Sequence, residues 1–496
     1  MKRSYDTIVV GGGISGLACA YRLHCAGQSV LLLEAGPEVG GVIRSERIPG
    51  VGVIDHGPQT VRSKDPELFA EFRELGIEDD RLVAGASGSN RYIFWEDQLV
   101  PLPHSPGSFL SSPVLPASAK LRLMLEPFRQ PRRGQDESIE DFFGHRLGPQ
   151  AVARLVDPFV SGVYAGDTRQ LSVRAVFPGL AAGVDEKGSL VRWGISKARE
   201  AGKARRSSGA PRVRPELFSF KEGLGAWPQA LAAALGPGGL RTETPVKGAS
   251  FKNGEWRVTL ETGGKAKAAS LVLAVPAPAA AGILGQRFPA DVRQLRDIPY
   301  APISTVHLAW EREAIQHPLD GFGYLCPSSQ GRRFLGVLWI SSLFPERVEE
   351  GRVLTTTFVG GARQPDQAVR PEAELVDLAI REHRRTLGAR GEPLVARAIT
   401  HRQGIPQYEF GHLDRVAAAE RMEDVGRRLY LTGSWRGGLS VPDCWKGGRA
   451  TADRILSDPA TPATSPEAER REARRPRAYP GRDQRGSPTG PGAAGT

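Results

Sequence analysis

Cysteine is scarce in this chain: four among 496 residues (Cys19, Cys25, Cys326, Cys444), with no CxxC pair. That excludes a disulfide-framed fold and a zinc knuckle, and it points to a reducing compartment. The nine histidines form no HxH, HxxH or HExxH spacing, so nothing indicates a metal site. Long apolar runs are missing too. The longest uncharged stretches, 98–119 and 268–286, are interrupted by five and two prolines respectively, and neither has the length and character of a spanning helix. Any membrane contact is therefore expected at one leaflet only. Lys2 and Arg3 lead at once into the strand-like SYDTIVV, which leaves no room for a secretory leader. The expected location is the cytoplasm, with at most peripheral contact with the membrane face. No solenoid-type repeat is present.

What remains is the composition of a large globular protein, 40% hydrophobic and 24% charged, long enough for two or three domains. The net charge of +11 is mostly scattered, apart from a basic stretch between Arg192 and Arg214. No nucleic-acid module accompanies that charge, so a nucleic-acid partner is not expected.

The chemistry begins at the N-terminus. YDTIVV, GGGISG, LACAYRLHCAG and QSVLLLEA read as strand, glycine turn, helix and strand. Gly11, Gly13 and Gly16 have the GxGxxG spacing, which lets a pyrophosphate approach the backbone at a helix N-terminus. Glu34, at the end of the second strand, is placed to accept ribose hydroxyls. Beyond it Gly40, Gly41 and Arg44 extend the fingerprint in the manner of FAD-containing amine oxidases. No second GxGxxG follows a strand, which argues against a separate NAD(P)H site. A second glycine-rich strand-turn-helix, LTGSWRGGLSVPDCWKGGRATADRIL, closes the ordered pattern at Leu456. FAD is long, and two helix N-termini can hold its two halves.

Between these ends, Pro66 to Gly76 reads as helix, RYIFW as strand, and 101–116 as proline-rich loop. Helical periodicity dominates 117–206. The segment PGSFLSSPVLPASAKLRLMLEPFRQPRR is apolar and then basic, as a leaflet-dipping element would be. Residues 197–214 read as a mobile basic linker. Asn253-Gly254 marks a hairpin, 302–360 alternates like an antiparallel sheet, and PEAELVDLAIREHRRTL reads as helix. The tail 457–496, with seven prolines and seven arginines, is expected to be disordered.

Taken together, these stretches resemble the oxygen-dependent protoporphyrinogen oxidases, a family within the flavin amine oxidase superfamily. VVGGGISGLACAYRL, DHGPQT, FVSGVYAGDTRQLSVRAVFPGL, GIPQYEFGHLDR and GSWRGGLSVPDC carry the resemblance, which spans about residues 5–456. It implies a mixed α/β and α+β fold in three parts. A Rossmann-like FAD domain is assembled from 1–68, 215–292 and 421–456. An antiparallel-sheet substrate domain comprises 69–105 and 293–420, and a helical, membrane-associating domain 106–214. It also implies noncovalent FAD, a porphyrinogen substrate, oxygen as electron acceptor and a homodimer in some members.

The resemblance assigns cofactor contacts to Gly11, Gly13, Gly16, Glu34, Gly41, Arg44, Gly57, Pro58, Gln59, Thr60, Val246, Gly433, Ser440 and Val441. It assigns substrate contacts to Arg91, Gly162, Leu325 and Phe344, with Arg91 pairing a propionate. On position alone Arg91 is an ordinary strand arginine, and Leu325 and Phe344 are ordinary core. Tyr408 and His412 lie in a family motif, but no catalytic acid or base is assigned. Gln59, Trp435, Arg436 and Leu439 depart from the residues usual at their places, which puts the fit of the pocket in question. The alternative on the same scaffold is oxidation of coproporphyrinogen III. More distant alternatives are a flavin amine oxidase and a non-catalytic porphyrin-binding flavoprotein. Cys444 does not stand where a covalent flavin link requires it.

Overall fold

The computed structural model describes residues 4–103, 105–129, 134, 136–208, 214–285 and 287–458. The expected disordered tail lies outside the described residues from position 459 onward.

A core sheet, parallel at its centre and antiparallel at one edge, is built from segments far apart in sequence. Its order is Leu240–Arg241, Val30–Leu33, Ser4–Val10, Lys265–Leu273, Glu255–Leu260 and Val246–Lys252, with Leu429–Leu431 pairing the end of Lys265–Leu273. The strands Val30–Leu33 and Lys265–Leu273 flank Ser4–Val10 in parallel. Buried on both faces, they read VLLL and SLVL, as continuously apolar strands should. The helices Ile14–Cys25 and Val441–Leu456 pack on one face. A Cβ added at Gly448 would come within 2.1 Å of the Ser15 carbonyl oxygen, so those two helices touch backbone to backbone. The hairpin expected at Asn253-Gly254 forms: both residues have positive φ (57° and 79°), the backbone that a two-residue turn needs.

The second large sheet is mainly antiparallel, in the order Val395–Pro406, Tyr300–Glu311, Arg352–Gly360, Gly336–Trp339, Gly323–Leu325, Tyr92–Trp95 and Gln98–Pro101. One face packs Tyr324, Phe94, Val353 and Val359 against the helix Glu372–Leu387. The described elements between Pro106 and Ser208 are all helices, and among them the turn Val152–Val156 is π-helical and runs straight into the helix Asp157–Tyr164.

Several expectations need correction. The boundaries placed at 68/69, 292/293 and 420/421 fall inside the helices Pro66–Glu74, Pro289–Arg296 and His412–Val425. Those helices bury Phe72, Leu295 and Met422 in the cores on either side of the parallel sheet, so they belong with it. The proline-rich loop contains a short helix, Pro106–Ser111, because Ser105 and Ser108 form a reciprocal capping box. The basic stretch from Lys197 onward is not a linker as far as Ser208, since it continues the helix Leu190–Ser208. Its remainder, 209–213, lies outside the described residues. The helix starts on a long-range cap: buried Glu126 accepts from Ser189 Oγ (2.5 Å), Leu190 N (2.8 Å) and Val191 N (3.2 Å).

Candidate active site

Val10, Leu273 and Leu431 stand side by side at the carboxyl ends of three parallel strands. The two glycine turns therefore leave the sheet at one level, two strand spacings or about 10 Å apart. Both following helices begin at this edge, where open α/β sheets bind ligands.

The first turn is shaped for close approach. Gly11 has φ +107°, and a Cβ there would meet Ala274 O at 2.4 Å. A Cβ at Gly16 would sit 2.0 Å from Gly11 O, so this glycine closes the turn itself. Around Gly13, by contrast, a Cβ would meet nothing within 4 Å, which leaves a cradle open at the helix N-terminus. Glu34 is half-buried and locked by Gly12 N and Gly36 N, each 2.7 Å from a different carboxylate oxygen. Its remaining lone pairs can accept two hydroxyls. Val246 lies two residues after Thr244, whose N–H donates to Glu34 O at 2.8 Å, which puts it at the same end. Gly41, with φ +62°, lies against Gly13, and Arg44 keeps a buried Nε without a hydrogen-bond partner. The open cradle, the fixed carboxylate and the orphaned guanidinium nitrogen together fit a dinucleotide diphosphate.

In the second turn Gly433 has φ +144°, and Ser440 caps the last helix by accepting from Asp443 N (3.2 Å). Val441, half-buried, is the first residue of that helix. The residues that depart from the family pattern are satisfied within the protein. Trp435 is fully buried and donates to Val275 O at 3.2 Å. Arg436 pairs with the buried carboxylate of Glu423 and donates to Leu431 O at 2.7 Å. Leu439 packs against the core of the helical region. Tyr408 hydrogen-bonds Ser434 O and accepts from Gly438 N at 3.2 Å, so it ties the turn down. Burial raises its phenol pKa, and its ring stacks on His412 at 4.0 Å. Burial and nearby Arg415 push the His412 imidazole down to about 4, against the hydrogen bond to the Trp435 backbone that favours its charged form.

The DHGPQT segment joins the two sheets. A Cβ at Gly57 would strike Val42 O at 2.4 Å, and Pro58 and Thr60 are half-buried beside it. The buried Gln59 side chain turns back on the protein. Its Nε2 donates to Asp55 O (2.6 Å) and Gly57 O (2.9 Å), and its Oε1 accepts from Thr356 Oγ1 (3.2 Å). Thr356 pairs with Leu338, Leu338 shares a face with Gly336, Gly336 pairs with Leu325, and Leu325 pairs with Ile93. Paired residues point to one face, so the motif carried by Gln59 meets the sheet face that bears Leu325 and Ile93.

Gly162 joins that face. A Cβ on it would come 2.4 Å from Leu325 Cδ2, and both residues retain open surface. Arg91 precedes the strand Tyr92–Trp95 on the same side. Its guanidinium lies 4.7 Å from the Phe322 ring centroid and has no acidic partner among the described residues. Partial desolvation, and then the nearby Arg62 cation, lower its pKa, although the residue keeps open surface, as expected of a cation lacking a counter-charge. Phe344 is different: it is 0% exposed and presents no surface to a ligand. The motif reading missed Ile93, Trp95 and Arg154; strand alternation was the one signal that could have found the first two.

The chain belongs to the flavin-containing amine oxidoreductase family and, within it, to the protoporphyrinogen oxidase family. The sequence model described as flavin containing amine oxidoreductase matches residues 14–456. The chloroplastic protoporphyrinogen oxidase of Oryza sativa subsp. japonica is 33% identical, with 91% of this chain and 88% of that protein aligned. The Bos taurus protoporphyrinogen oxidase is 31% identical over 90% and 98%. The coproporphyrinogen III oxidase of Bacillus subtilis (strain 168) is 25% identical over 91% and 97%. Among solved structures, one from Exiguobacterium sp. 255-15 superposes with TM-score 0.77 at 22% identity, covering 92% of this chain and 99% of that one. The chain is a flavin-dependent oxidoreductase.

Proposed function

We propose that the protein binds FAD noncovalently and oxidises a porphyrinogen, protoporphyrinogen IX in the first place, to the aromatic porphyrin, with oxygen as electron acceptor. The observation that carries this reading is the sheet face on which unpaired Arg91, the Ile93–Leu325 floor and the Gln59–Thr356 contact stand in one line. A largely apolar macrocycle with a carboxylate on its edge, laid on that floor, is anchored at Arg91 and presented toward the cofactor motifs.

The Gly13 cradle and the helix starting at Ile14 would hold the diphosphate, Glu34 the ribose, and the turn from Gly433 to Val441 the flavin end. When bound, the flavin supplies a two-electron acceptor that oxygen can restore, used three times per porphyrin formed. The protein's own task is binding, orientation and exclusion of water. Gly162, in contact with Leu325, keeps bulk off the face on which the ring would lie, and Arg91 sets its register. Tyr408 and Gln59, both tied to backbone groups, fix the turns that frame it.

Membrane contact is part of the proposal. Leu121, Met124, Leu125 and Phe128 are exposed, Phe128 by 81%, beside exposed Val191 and Ile195. The Glu126 cap holds these two groups together, and Arg192 and Lys197 follow on the helix. Among the described residues no helix is long and apolar enough to cross a membrane, so the contact is peripheral.

The test is aerobic fluorescence with FAD-loaded protein, comparing protoporphyrinogen IX and coproporphyrinogen III against autoxidation controls. Porphyrin formation well above the control is expected. No turnover of either substrate overturns the proposal and leaves a flavoprotein of other function.

A further inference from the structure

Arg91 is not the only unpaired guanidinium on this face. The strand Tyr92–Trp95 alternates, so Ile93 and Trp95 point the same way as Arg91. Beyond Ile93 the floor opens into a cavity of about 350 Å³ whose walls include Ile93, Trp95, Val100, Val114 and Arg154. Arg154 reaches it from the π-helical turn Val152–Val156, and such turns cluster at functional positions. Its guanidinium lies 4.0 Å from the Trp95 ring centroid, and Nη1 donates to Val114 O at 3.1 Å. That uses one of five donors. Among the described residues it has no acidic partner within salt-bridge reach. Glu96, the acid on the cavity wall, is solvent-exposed, and its carboxylate accepts from Trp95 Nε1 at 2.9 Å instead.

One strand runs from one cation to the other. Arg91 and Trp95, on which Arg154 stacks, are four strand residues apart, about 13 Å. Leu325, paired with Ile93 and touching Gly162, sits midway. The face is thus an apolar floor with a lone guanidinium at each end.

Resting on the porphyrinogen reading, the geometry points to Arg154 as a second carboxylate anchor, one that engages the ring edge opposite Arg91. Protoporphyrinogen IX carries both its carboxylates on one edge and offers vinyl groups to the other. Coproporphyrinogen III carries four carboxylates and presents them to both edges. Arg154 widens the site beyond protoporphyrinogen IX, which Arg91 holds alone, to porphyrinogens with acidic groups on opposite edges, so that coproporphyrinogen III is also accepted and is bound by two cations. Stacking on Trp95 holds the guanidinium plane ready for a bidentate contact.

The experiment is steady-state kinetics of the FAD-loaded enzyme on both substrates, for wild type, Arg154→Met and Arg154→Lys. Wild type is expected to turn over coproporphyrinogen III. Arg154→Met should raise its KM tenfold or more while changing the KM for protoporphyrinogen IX less than twofold, and Arg154→Lys should fall between. If wild type oxidises protoporphyrinogen IX but rejects coproporphyrinogen III, or if Arg154→Met moves both substrates equally or neither, Arg154 is not this anchor. If wild type oxidises neither, it is the porphyrinogen reading that falls. A measurement on wild type alone guards against a variant that does not fold: coproporphyrin III should bind more tightly than protoporphyrin IX and weaken as salt rises. Equal or weaker binding of coproporphyrin III overturns the inference.

Discussion

Arg347 and Asp55 meet at 2.8 Å with side chains 0% and 1% exposed. The same guanidinium donates to Ser219 Oγ and Val53 O, each at 3.0 Å, while Asp55 accepts from Ser45 Oγ (2.5 Å) and Leu224 N (2.8 Å). One ion pair thereby ties the first residue of DHGPQT to the strand Glu216–Phe220 and to the turn Pro345–Arg347 that follows the strand Gly336–Trp339. Removing one partner strands the other charge away from water. Arg347→Met is expected to lower unfolding stability by about 3–5 kcal/mol, read from urea denaturation. The double variant Arg347→Met/Asp55→Asn should recover part of that loss.

Gly13 and Gly16 belong to one motif but should fail differently when replaced. Gly16→Ala drives a methyl into Gly11 O and should reduce soluble expression and Tm. Gly13→Ala has free space in the protein alone, so the apoprotein should keep its Tm. The space it fills is the diphosphate's, and flavin absorbance after purification should drop.

Arg91→Ala should cut kcat/KM for either porphyrinogen by about 10- to 150-fold, the equivalent of a charged hydrogen bond of 1.5–3 kcal/mol. Flavin content should be unchanged. Arg91→Lys keeps the charge but loses the fork, so rescue should be partial.

Three buried histidines set an acid limit. Burial, with Arg347 and Arg397 among the cations nearby, pushes His307 down to about 3. Burial takes His383 to about 4 despite its bond to Ala379 O, and His412 also stands at about 4. Unfolded histidine takes its proton near pH 6.5. Between that value and the folded values the unfolded chain holds more protons. Stability is therefore full above pH 6.5 and lost as pH falls toward 4, by about 1.4 kcal/mol per unit for each histidine. Urea midpoints across this range should show the slope, and His383→Gln should reduce it.

Glu126 supplies the cap of a helix 64 positions downstream. Glu126→Ala should cost about 1 kcal/mol and speed amide exchange in the first turn after Ser189. Exchange in the helix Ile14–Cys25 should not change.

Where function demands a backbone geometry, the residues announce it. The GxGxxG turn, Glu34, Asn253-Gly254 and the closing glycine turn could all be read in advance because each is local. What escaped is long-range. No nearby residue signals the Glu126 cap, so basic helix was read as linker. The helices Pro66–Glu74 and His412–Val425 pack on a sheet whose strands lie far away in sequence, so no local signal places them with it. Phe344 and Leu325 are both apolar in apolar surroundings, and only the fold separates a core ring from a pocket wall. Arg154 lies in a stretch that looks like ordinary amphipathic helix. Its neighbour Trp95 comes from a strand of the second sheet, and no local spacing encodes that meeting.

The closeness of Gly11 and Gly433 at one sheet edge has a consequence for synthesis. They are 422 positions apart in the chain, and at 5–20 residues per second a ribosome needs roughly 20 to 85 seconds to travel between them. Through that interval the first strand and helix have emerged without the strand Leu429–Leu431 and the closing helix that finish their site. Cofactor capture thus waits until the closing helix has been made. A nascent chain halted anywhere before the closing helix holds half a grip, with the apolar flank of its first helix still waiting for a partner.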